Sequence, residues 1–449
     1  MDAASPPPLR IVIFPWLAFG HMLPYLELAE RLATRGHRVF FVSTPRNISR
    51  LRPVAPGLAR RLIDFVALPF PRLHGLPDGT EATSDVPAGK LDLFYKAFDG
   101  LAAPFSAFLD VACAADADHD HNKVDLLMVD SFHYWAAAAA AEHDVPCVLS
   151  LIFSATTLAQ FGVPRVSLPP VAADAMPPSI PQRFALTFEK CKLVACRSCV
   201  ELEPESMALL SSIFGKPVIP FGLLPPSLPI PVEGHRGVNG DNGKTALPLC
   251  WLDSQKPKSA VFVALGSEPP ITVEQLHELA LGLELAGAPF LWALKGPTGI
   301  SEADDILPPG FVERTRGRGL VAMGWVPQLD VLVHGAVGAF LTHCGWSSVV
   351  EGLVFGQPMI MLPFLDEQGI NARLMETKQV GVQVPRFGED RSFSREGVAR
   401  SIGAVMSEEE GGRVLAANAK KMQKIVVGDE KCQERYMDDF IRFIRTHKD

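Results

Sequence analysis

Two side chains in the first third of the chain are suited to acid–base chemistry. His21 lies in WLAFGHMLP, just after the apolar run IVIFPW at 11–16, and Asp130 ends a second apolar run, DLLMVD, at 125–130. An imidazole titrates near neutral pH and can act as a general base, and a neighbouring carboxylate fixes its tautomer. We therefore predict a catalytic pair of His21 and Asp130. The plainer alternatives are a structural histidine and a carboxylate that caps a helix.

A second group of polar residues lies where a predicted strand runs into a predicted helix, in the stretch THCGWSS at 342–348. Ser347 and Ser348 fall at the start of the helix, where backbone N–H groups have no partner within the helix and attract anions. Glu351 lies about one helical turn after Ser347, where its carboxylate can accept hydrogen bonds from the hydroxyls of a ribose.

The residues around this stretch supply a partner for each part of a nucleoside diphosphate sugar. Trp325 and Gln328 suit the base, His343 and the two serines suit the diphosphate, and Glu367 with Gln368 suit the sugar. Each has a plainer interpretation, such as a core tryptophan, a helix cap or a buried histidine. Independent structural accidents do not explain why all of them follow the order of one ligand.

Alternating strand and helix patterns predict two α/β domains with mostly parallel sheets. In the first half we expect strands at 11–16, 39–44, 125–130 and 147–153 and helices around 26–33 and 135–142. In the second half we expect strands at 259–265, 290–294, 320–326, 338–343 and 358–363 and helices at 273–287, 327–335 and 347–356.

A stretch at 223–249 that is rich in Pro, Gly and Asn marks the predicted linker region. It separates an N-terminal acceptor-binding domain, 1–235, from a C-terminal domain, 245–431. The final helix, 432–449, is predicted to pack back on the first domain. The fold class expected is α/β, with two Rossmann-like domains that face each other across a ligand-binding cleft.

Composition excludes several classes of protein. The chain has 449 residues, of which 48% are hydrophobic and 20% charged, and a net charge of -8, which argues against disorder and against nucleic acid as a partner. No apolar stretch is long enough for stable membrane insertion, and we expect a cytoplasmic monomer. The turn after the first strand lacks G-x-G-x-x-G, which removes the main support for an NAD-dependent oxidoreductase.

Two short motifs have the residue pattern of metal sites but lack the surrounding residues that such sites need. Cys196 and Cys199 form a C-x-x-C with no second pair, and Asp116 and Asp118 form a D-x-D within a hydrophilic loop. We therefore predict no metal site.

The stretch WVPQLDVLVHGAVGAFLTHCGWSSVVEGLVFGQPMIMLPFLDEQ, 325–368, strongly resembles the signature box of plant family 1 UDP-glycosyltransferases, and VALGS at 263–267 resembles a second hallmark. The resemblance implies the GT-B fold, UDP-glucose as the donor substrate, no metal and no further cofactor. It implies base stacking by Trp325, phosphate contacts from His343 and Ser348, and a ribose contact from Glu351. The predicted donor set is Ser267, Trp325, Val326, Gln328, His343, Trp346, Ser347, Ser348, Glu351, Glu367 and Gln368.

Two positions depart from the family pattern. Ser347 replaces the usual Asn and has a shorter reach, and Glu367 replaces the usual Asp and is one methylene longer. Gln368 is the residue that the family associates with glucose. The resemblance thus indicates UDP-glucose and leaves the contacts of Ser347 and Glu367 open.

The sequence at 41–51 and 68–87 resembles the branch-forming group of this family. Members of that group extend the sugar that flavonoid or terpenoid glycosides already carry. This resemblance implies an inverting transfer of glucose to a hydroxyl of a small-molecule glycoside of the steviol or flavonoid type, with a β-1,2 linkage. The stretch 161–185 departs from that group. Aromatic residues that can line the acceptor pocket, or else belong to the core, are Phe19, Phe94, Phe132, Trp135 and Phe153.

Three alternatives remain open at this point: an enzyme that acts on free aglycones, a non-catalytic protein that binds UDP-sugars, and an isomerase of UDP-sugars.

Overall fold

The computed structural model describes residues 7–54, 57–114, 123–162, 177–226, 246–266, 271–295, 303, 306–324, 326–388, 391–427 and 430–447. The chain divides into two compact units, one formed by Met1–Leu224 with Lys431–Asp449 and the other by Pro225–Glu430. Residues 227–245, which hold most of the predicted linker, lie outside the described residues.

The first unit is built on a parallel sheet of seven described strands. They are β1 (Arg10–Phe14), β2 (Arg38–Ser43), β3 (Ile63–Ala67), β4 (Leu126–Val129), β5 (Cys147–Leu151), β6 (Leu193–Cys196) and β7 (Val218–Pro220). Their order across the sheet is β3-β2-β1-β4-β5-β6-β7. The helices between them are α1 (Phe19–Thr34), α2 (Pro45–Arg50), α3 (Leu58–Leu62), α4 (Leu91–Asp99), α5 (Ala102–Ala112), α6 (Tyr134–Glu142), α7 (Ala155–Phe161), α8 (Ile180–Lys190) and α9 (Pro204–Phe214).

The strands of this sheet are apolar on both faces because helices cover both faces. Along β1, Val12 and Phe14 pack into a core with α4, α5 and α6, whereas Ile11 and Ile13 pack into a second core with α1. Parallel sheets in α/β proteins are buried in this way, which explains why their strands are continuous apolar runs.

The second unit repeats this architecture with six described strands. They are β8 (Ala260–Ala264), β9 (Phe290–Leu294), β10 (Gly319–Met323), β11 (Val337–Thr342), β12 (Met359–Met361) and β13 (Gly381–Gln383), in the order β10-β9-β8-β11-β12-β13. The helices are α10 (Ala246–Asp253), α11 (Val273–Ala286), α12 (Phe311–Arg314), α13 (Gln328–Val333), α14 (Trp346–Val354), α15 (Asp366–Thr377), α16 (Arg395–Met406) and α17 (Glu410–Val426). The last helix of the chain, α18 (Glu430–His447), belongs to the first unit.

Strand register places the candidate residues at the carboxyl edge of each sheet. In the first unit Phe14 of β1 lies opposite Val129 of β4. In the second unit Ala264 of β8 lies opposite Thr342 of β11. Because these strands are parallel neighbours, the segments that follow them leave the sheet side by side, which is where such folds bind ligands.

The predicted class of two Rossmann-like α/β domains is confirmed. One difference concerns α1, which begins at Phe19 rather than near residue 26, so that His21 lies in its first turn and not in a loop. The backbone N–H groups of His21 and Met22 both donate to the carbonyl of Ala18, at 2.9 and 2.8 Å. Pro24 makes an early helix start difficult to predict from sequence, because proline usually disfavours a helix interior.

The helix α18 packs on the first unit through apolar and polar contacts. Met437 and Phe440 join the core that contains Ile13, and the side-chain oxygen of Gln433 accepts a hydrogen bond of 2.8 Å from the backbone N–H of Leu223. The Tyr436 hydroxyl accepts from the backbone N–H of Val200 and donates to Glu201 at 2.6 Å.

We expect Tyr436→Phe to lower the free energy of unfolding by about 1–2 kcal/mol, because the variant leaves a partly buried N–H and a carboxylate without the hydroxyl. Urea denaturation followed by circular dichroism measures the change. The control is Arg442→Ala, which removes an exposed ion pair with Asp439 on the same helix and should change stability by less than about 0.5 kcal/mol. Equal losses in both variants would contradict the role given to the hydroxyl.

Candidate active site

His21 and Asp130 are in direct contact in the first unit. The Nδ1 of His21 lies 2.6 Å from the Oδ2 of Asp130, and their side chains are 17% and 0% exposed. The two residues are brought together by the adjacent ends of β1 and β4, since Asp130 follows directly on Val129. The structure therefore places this sequence-predicted pair as a hydrogen-bonded dyad with the histidine on the accessible side.

The carboxylate of Asp130 is held by donors on both oxygens. The backbone N–H of Trp16 donates to Oδ2 at 3.2 Å, and the N–H and hydroxyl of Ser131 donate to Oδ1 at 2.6 and 3.1 Å. Burial by itself raises the pKa of Asp130, but the charge and hydrogen bond of His21, together with His133 and the backbone N–H of Ser131, lower it, and the net pKa is lowered. Asp130 is therefore ionised at neutral pH.

An ionised Asp130 decides the tautomer of its partner. Because a carboxylate can only accept, the proton between the two residues belongs to Nδ1 of His21, which puts the lone pair of the neutral ring on Nε2. A histidine in this state has the nitrogen of a general base already oriented. Trp16 and Ser131 thus hold the carboxylate of Asp130, which in turn bonds the ring of His21.

A second histidine, His133, also contacts Asp130 but is not a candidate base. Its Nδ1 lies 3.3 Å from the backbone oxygen of Asp130, and its ring packs against Phe14 with the ring centroids 4.6 Å apart. His133 is fully buried, and burial lowers its pKa to about 4. It is a neutral core residue near the dyad.

The aromatic residues predicted for the acceptor pocket divide into two groups. Phe153 contacts the ring of His21 edge to face, at 5.7 Å between centroids, and Phe132 is half-buried against Trp16. Phe19 lies under the guanidinium of Arg50 at 4.5 Å, and a spacing of two residues along a helix directs it away from the His21 face. Of the three, Phe153 has the clearest relation to the base.

One of these predictions, Phe94, requires correction, whereas Trp135 does not. Phe94 is fully buried in the core, where it contacts Trp16 and Phe70, so it lines no surface. Trp135 is half-buried at the edge of this core, against Phe98 and Phe105, with its indole nitrogen buried, and its place in the acceptor pocket stays a prediction. The ring of Phe94 is drawn into the core because burying such a side chain contributes about 1.5–3 kcal/mol.

In the second unit, His343 lies directly after β11, beside the segment that follows β8. A Cβ at Gly266 would lie 2.8 Å from Cε1 of His343, and a Cβ at Gly345 would lie 2.6 Å from its Nε2. The imidazole therefore fits between two positions where only glycine is compatible. Burial lowers the pKa of His343 to about 4, so the ring is neutral and donates rather than carries charge.

The loop from His343 into α14 has a fixed backbone conformation. Cys344 has φ of 66°, in the left-handed region, and its carbonyl accepts a 3.0 Å hydrogen bond from the buried amide of Asn371. The helix α14 begins at Trp346 without a side-chain cap, and the start of a helix is a position that attracts anions. Trp346 is buried, whereas Ser347 and Ser348 in the first turn are half-buried.

Asn371 was not predicted as a site residue. A buried amide on a helix next to apolar neighbours is the signal that could have identified it, because such a group needs a partner.

Gln328 and Glu351 are partners in the structure. The amide of Gln328 donates to Oε2 of Glu351 at 2.5 Å, which orients the carboxylate on the face of α14. Val326 is 7% exposed and precedes the short helix α13. Trp325 lies outside the described residues, and so does Ser267 after β8.

Gln368 is buried in the first turn of α15, and its oxygen accepts from the backbone N–H groups of Phe364 and Leu365 at 2.9 and 3.1 Å. The acceptor of this amide is therefore used to cap its own helix. The nitrogen is the atom left to contact a ligand, as a donor. Glu367 is half-buried beside it.

We expect Gly266→Ala to weaken the binding of UDP by about tenfold or more, because the new methyl group must displace His343. The matched control is Gly287→Ala, since Gly287 also has positive φ, at 70°, but has no atom near its Cβ position. Both variants carry backbone strain, whereas only the first one touches the site. Isothermal titration with UDP separates them, and similar affinities in the two variants would contradict the role of Gly266.

In the parts of the chain that the structure describes, no three His, Cys, Asp or Glu residues form a group that could hold a metal ion. Burial raises the pKa of both the Cys196 and Cys199 thiols, which disfavours the thiolate form that a metal needs. Asp116 and Asp118 lie outside the described residues. Across the described helices, none combines the length and apolar character needed to cross a membrane.

Solved structures show the same fold. The chain superposes on UGT73P12 of Glycyrrhiza uralensis, complexed with glycyrrhetinic acid 3-O-monoglucuronide, with a TM-score of 0.78 and 22% identity, covering 98% of this chain and 96% of that one. It superposes on UGT89C1 of Arabidopsis thaliana, complexed with UDP-L-rhamnose, with a TM-score of 0.77 and 24% identity. This superposition covers 98% of this chain and 100% of that one. These plant enzymes have the GT-B fold.

Sequence comparison agrees and is more specific. The profile described as "UDP-glucoronosyl and UDP-glucosyl transferase" matches residues 238–414. The chain is 37% identical to UDP-glycosyltransferase 91B1 of Arabidopsis thaliana over 99% of both chains. It is 37% identical to UDP-glycosyltransferase 91D2 of Stevia rebaudiana, covering 98% of this chain and 95% of that one, and 35% identical to soyasaponin III rhamnosyltransferase of Glycine max, covering 98% and 96%.

With similarity along nearly its whole length, and with the strand-to-helix loops described above in the matched region, the chain belongs to the plant family 1 UDP-glycosyltransferases.

Proposed function

We propose that this enzyme is an inverting, metal-independent glucosyltransferase that moves glucose from UDP-glucose to a hydroxyl of a small-molecule glycoside. The observation that carries the proposal is the 2.6 Å bond between His21 and an ionised Asp130 in a member of this family. That bond gives the chain a general base whose reactive nitrogen is oriented before any substrate binds.

The proposed reaction is a single displacement. Nε2 of His21 takes the proton of the acceptor hydroxyl while the oxygen attacks the anomeric carbon of the α-linked donor. The bond from that carbon to the UDP oxygen breaks, and the configuration inverts to β. Asp130 stabilises the imidazolium formed in this step, as the carboxylate of a triad does.

The leaving diphosphate is proposed to meet donors in the second unit. They are the neutral ring of His343, the N–H groups at the start of α14, and the hydroxyls of Ser347 and Ser348. Preorganised donors of this kind stabilise charge that develops in the transition state. We further assign the ribose to Glu351, held by Gln328, and the base to Trp325.

The sugar is proposed to be glucose, recognised in part by the amide nitrogen of Gln368. Because soyasaponin III rhamnosyltransferase is among the relatives, rhamnose is the sugar to compare with it. Glu367 and Ser347, the two departures from the family pattern, are the positions where the donor contacts of this chain are expected to differ.

The acceptor is proposed to be a steviol-type diterpenoid glycoside or a flavonoid glycoside, extended by a β-1,2-linked glucose. Support comes from the 37% identity to the Stevia rebaudiana relative and from the resemblance of the N-terminal text to branch-forming enzymes, including a rice enzyme that adds β-1,2-linked glucose to steviol glycosides. The edge-to-face contact of Phe153 with His21 gives the base an apolar neighbour that suits such a substrate.

A panel assay without added metal tests the whole proposal. UDP-glucose and UDP-rhamnose are each offered to free aglycones and to their monoglucosides, and the products are identified by mass and by linkage. We expect a gain of one glucose on the monoglucosides, in β configuration. Preference for free aglycones would refute the glycoside acceptor, and binding of UDP-glucose without transfer to any acceptor would refute catalysis.

A further inference from the structure

Arg386 lies three residues after β13, beside the loop that follows β12 and leads to Glu367 and Gln368. It falls outside the signature box at 325–368, and its sequence context, QVPRFG, carries no motif. In the folded chain its guanidinium contacts both Pro363 and Phe364 of this loop.

The guanidinium of Arg386 holds the loop by hydrogen bonds and by stacking. One terminal nitrogen donates to the carbonyl of Pro363 and the other to the carbonyl of Arg391. The cation also lies 4.9 Å from the ring centroid of Phe364 and 5.2 Å from that of Phe393. Lysine cannot reproduce this arrangement, because its ammonium is a compact charge without the planar fork that donates in two fixed directions while it stacks on a ring.

The turn that Arg386 holds is the same turn that Gln368 caps. Arg386 bonds the carbonyl of Pro363, and the next two N–H groups, of Phe364 and Leu365, donate to the oxygen of Gln368. A shift of this turn therefore moves the amide whose nitrogen remains for the ligand. The contacts connect Arg386 to Gln368 through a single short segment of backbone.

Holding the charged guanidinium of Arg386 in this partly buried position costs free energy. Burial, and then the charge of Arg391, lowers the pKa of Arg386 to about 10, and its Nε is buried with no acceptor among the described residues. None of the carboxylates that the structure describes forms an ion pair with it. A cation held at a cost, with directed bonds to backbone oxygens, is better explained by a requirement for geometry than by a gain in stability.

We propose that Arg386 is a positioning residue for the donor sugar, which fixes the turn at 363–365 and thereby places the amide of Gln368. The inference rests on the proposed function of Gln368 as a sugar contact. Arg386 should affect the binding of the sugar and not the binding of UDP. The reason is that the contacts of Arg386 lie at the 363–368 loop and not at the loop of His343 or at α14.

The test compares the affinity for UDP with that for UDP-glucose in Arg386→Lys and Arg386→Gln. We expect both variants to bind UDP within about twofold of the unchanged protein. We expect the KM for UDP-glucose to rise about tenfold, the loss of roughly one well-placed hydrogen bond, with a smaller change in kcat. The preference for UDP-glucose over UDP-galactose should fall by a similar factor, a change that a general loss of stability would not produce.

The matched control is Arg391→Asn, which removes the exposed ion pair of Arg391 with Asp366 in the same loop and suits the left-handed φ of 52°. It should leave both affinities and the sugar preference unchanged. Parallel weakening of UDP and UDP-glucose in the Arg386 variants, or no change in either, would overturn the inference.

The proposed function can fail separately. If the unchanged protein uses UDP-rhamnose instead of UDP-glucose, the glucose assignment is wrong, and the same comparison of UDP with UDP-rhamnose still decides the role of Arg386. If the unchanged protein binds UDP but binds no UDP-sugar more tightly than UDP, both the proposed function and the role of Arg386 are overturned.

Discussion

Replacing His21 by alanine is expected to lower the rate of glucosyl transfer by at least about a thousandfold, while the dissociation constant of UDP-glucose stays within about twofold. The methyl group cannot take the proton of the acceptor hydroxyl, and a positioned base contributes typically ~10²–10⁴ in rate. Donor affinity should not change, because the residues proposed to bind UDP-glucose belong to the other compact unit. The measurement is release of UDP in the presence of acceptor, with titration calorimetry for the donor.

Two controls separate the loss of a base from the loss of the fold. The side chain of His21 is only 17% exposed and bonds the buried Asp130, so the thermal midpoint of the variant is measured to show that it is folded at the assay temperature. The exposed His74 replaced by alanine should retain full activity. Transfer by His21→Ala within tenfold of the unchanged enzyme would rule out the proposed mechanism.

Much of the fold was predictable because its strands are continuous apolar runs. The run FLWAL coincides with β9, and the predicted strands at 39–44 and 338–343 differ from β2 and β11 by a single residue at each end. Short strands such as β7 and β13 were not predicted. Their three residues, unlike those of the equally short β12, do not lie in a longer apolar run, so they cannot be distinguished from loops in the sequence.

The candidate dyad was predictable for a related reason. His21 and Asp130 each follow an apolar run, and parallel strands place the residues that follow them at one edge of the sheet. What the sequence could not give is the neighbour relation of β1 and β4, which are far apart in the chain and adjacent in space. The sequence predicted the pair, and the register of β1 with β4 supplies the physical reason for the 2.6 Å contact between His21 and Asp130.

The acceptor residues were predicted least well, because an aromatic side chain has the same appearance in sequence whether it is core or surface. Phe94 and Phe153 are both large apolar rings in the first unit, and both were predicted to line the acceptor pocket. Only packing separates them: the first is enclosed by Trp16 and Phe70, whereas the second stays beside His21.

The donor residues stay a prediction from the sequence, which did not show what each atom does. The prediction that Gln368 contacts the sugar did not divide its amide, and the structure commits the amide oxygen to the turn at 364–365. The charge state of His343 was not predicted either, and burial lowers its pKa to about 4, so the ring is neutral. Such assignments depend on burial and direction, which residue type and spacing do not contain.

Asp130→Asn is expected to lower kcat by about 10³–10⁴ although it preserves the shape of the side chain. Asn has a single acceptor, and the N–H and hydroxyl of Ser131 both require it at the Oδ1 position. The amide nitrogen must then face His21 and donate to Nδ1. This reverses the tautomer of the ring, moves its proton to Nε2, and removes the lone pair that takes the acceptor proton.

The pH profile distinguishes this tautomer effect from simple loss of stability. Without the negative charge beside it, the imidazolium is less favoured, so the acid side of the kcat/KM profile should move to lower pH while the maximum falls. Asp125→Asn is the matched control, because Asp125 adjoins the opposite end of β4 and accepts from the backbone N–H of Arg10 at 2.9 Å. It should alter stability without altering the profile. A normal profile with normal kcat in Asp130→Asn would mean that the carboxylate only caps the backbone of Trp16 and Ser131, and that His21 keeps its tautomer without it.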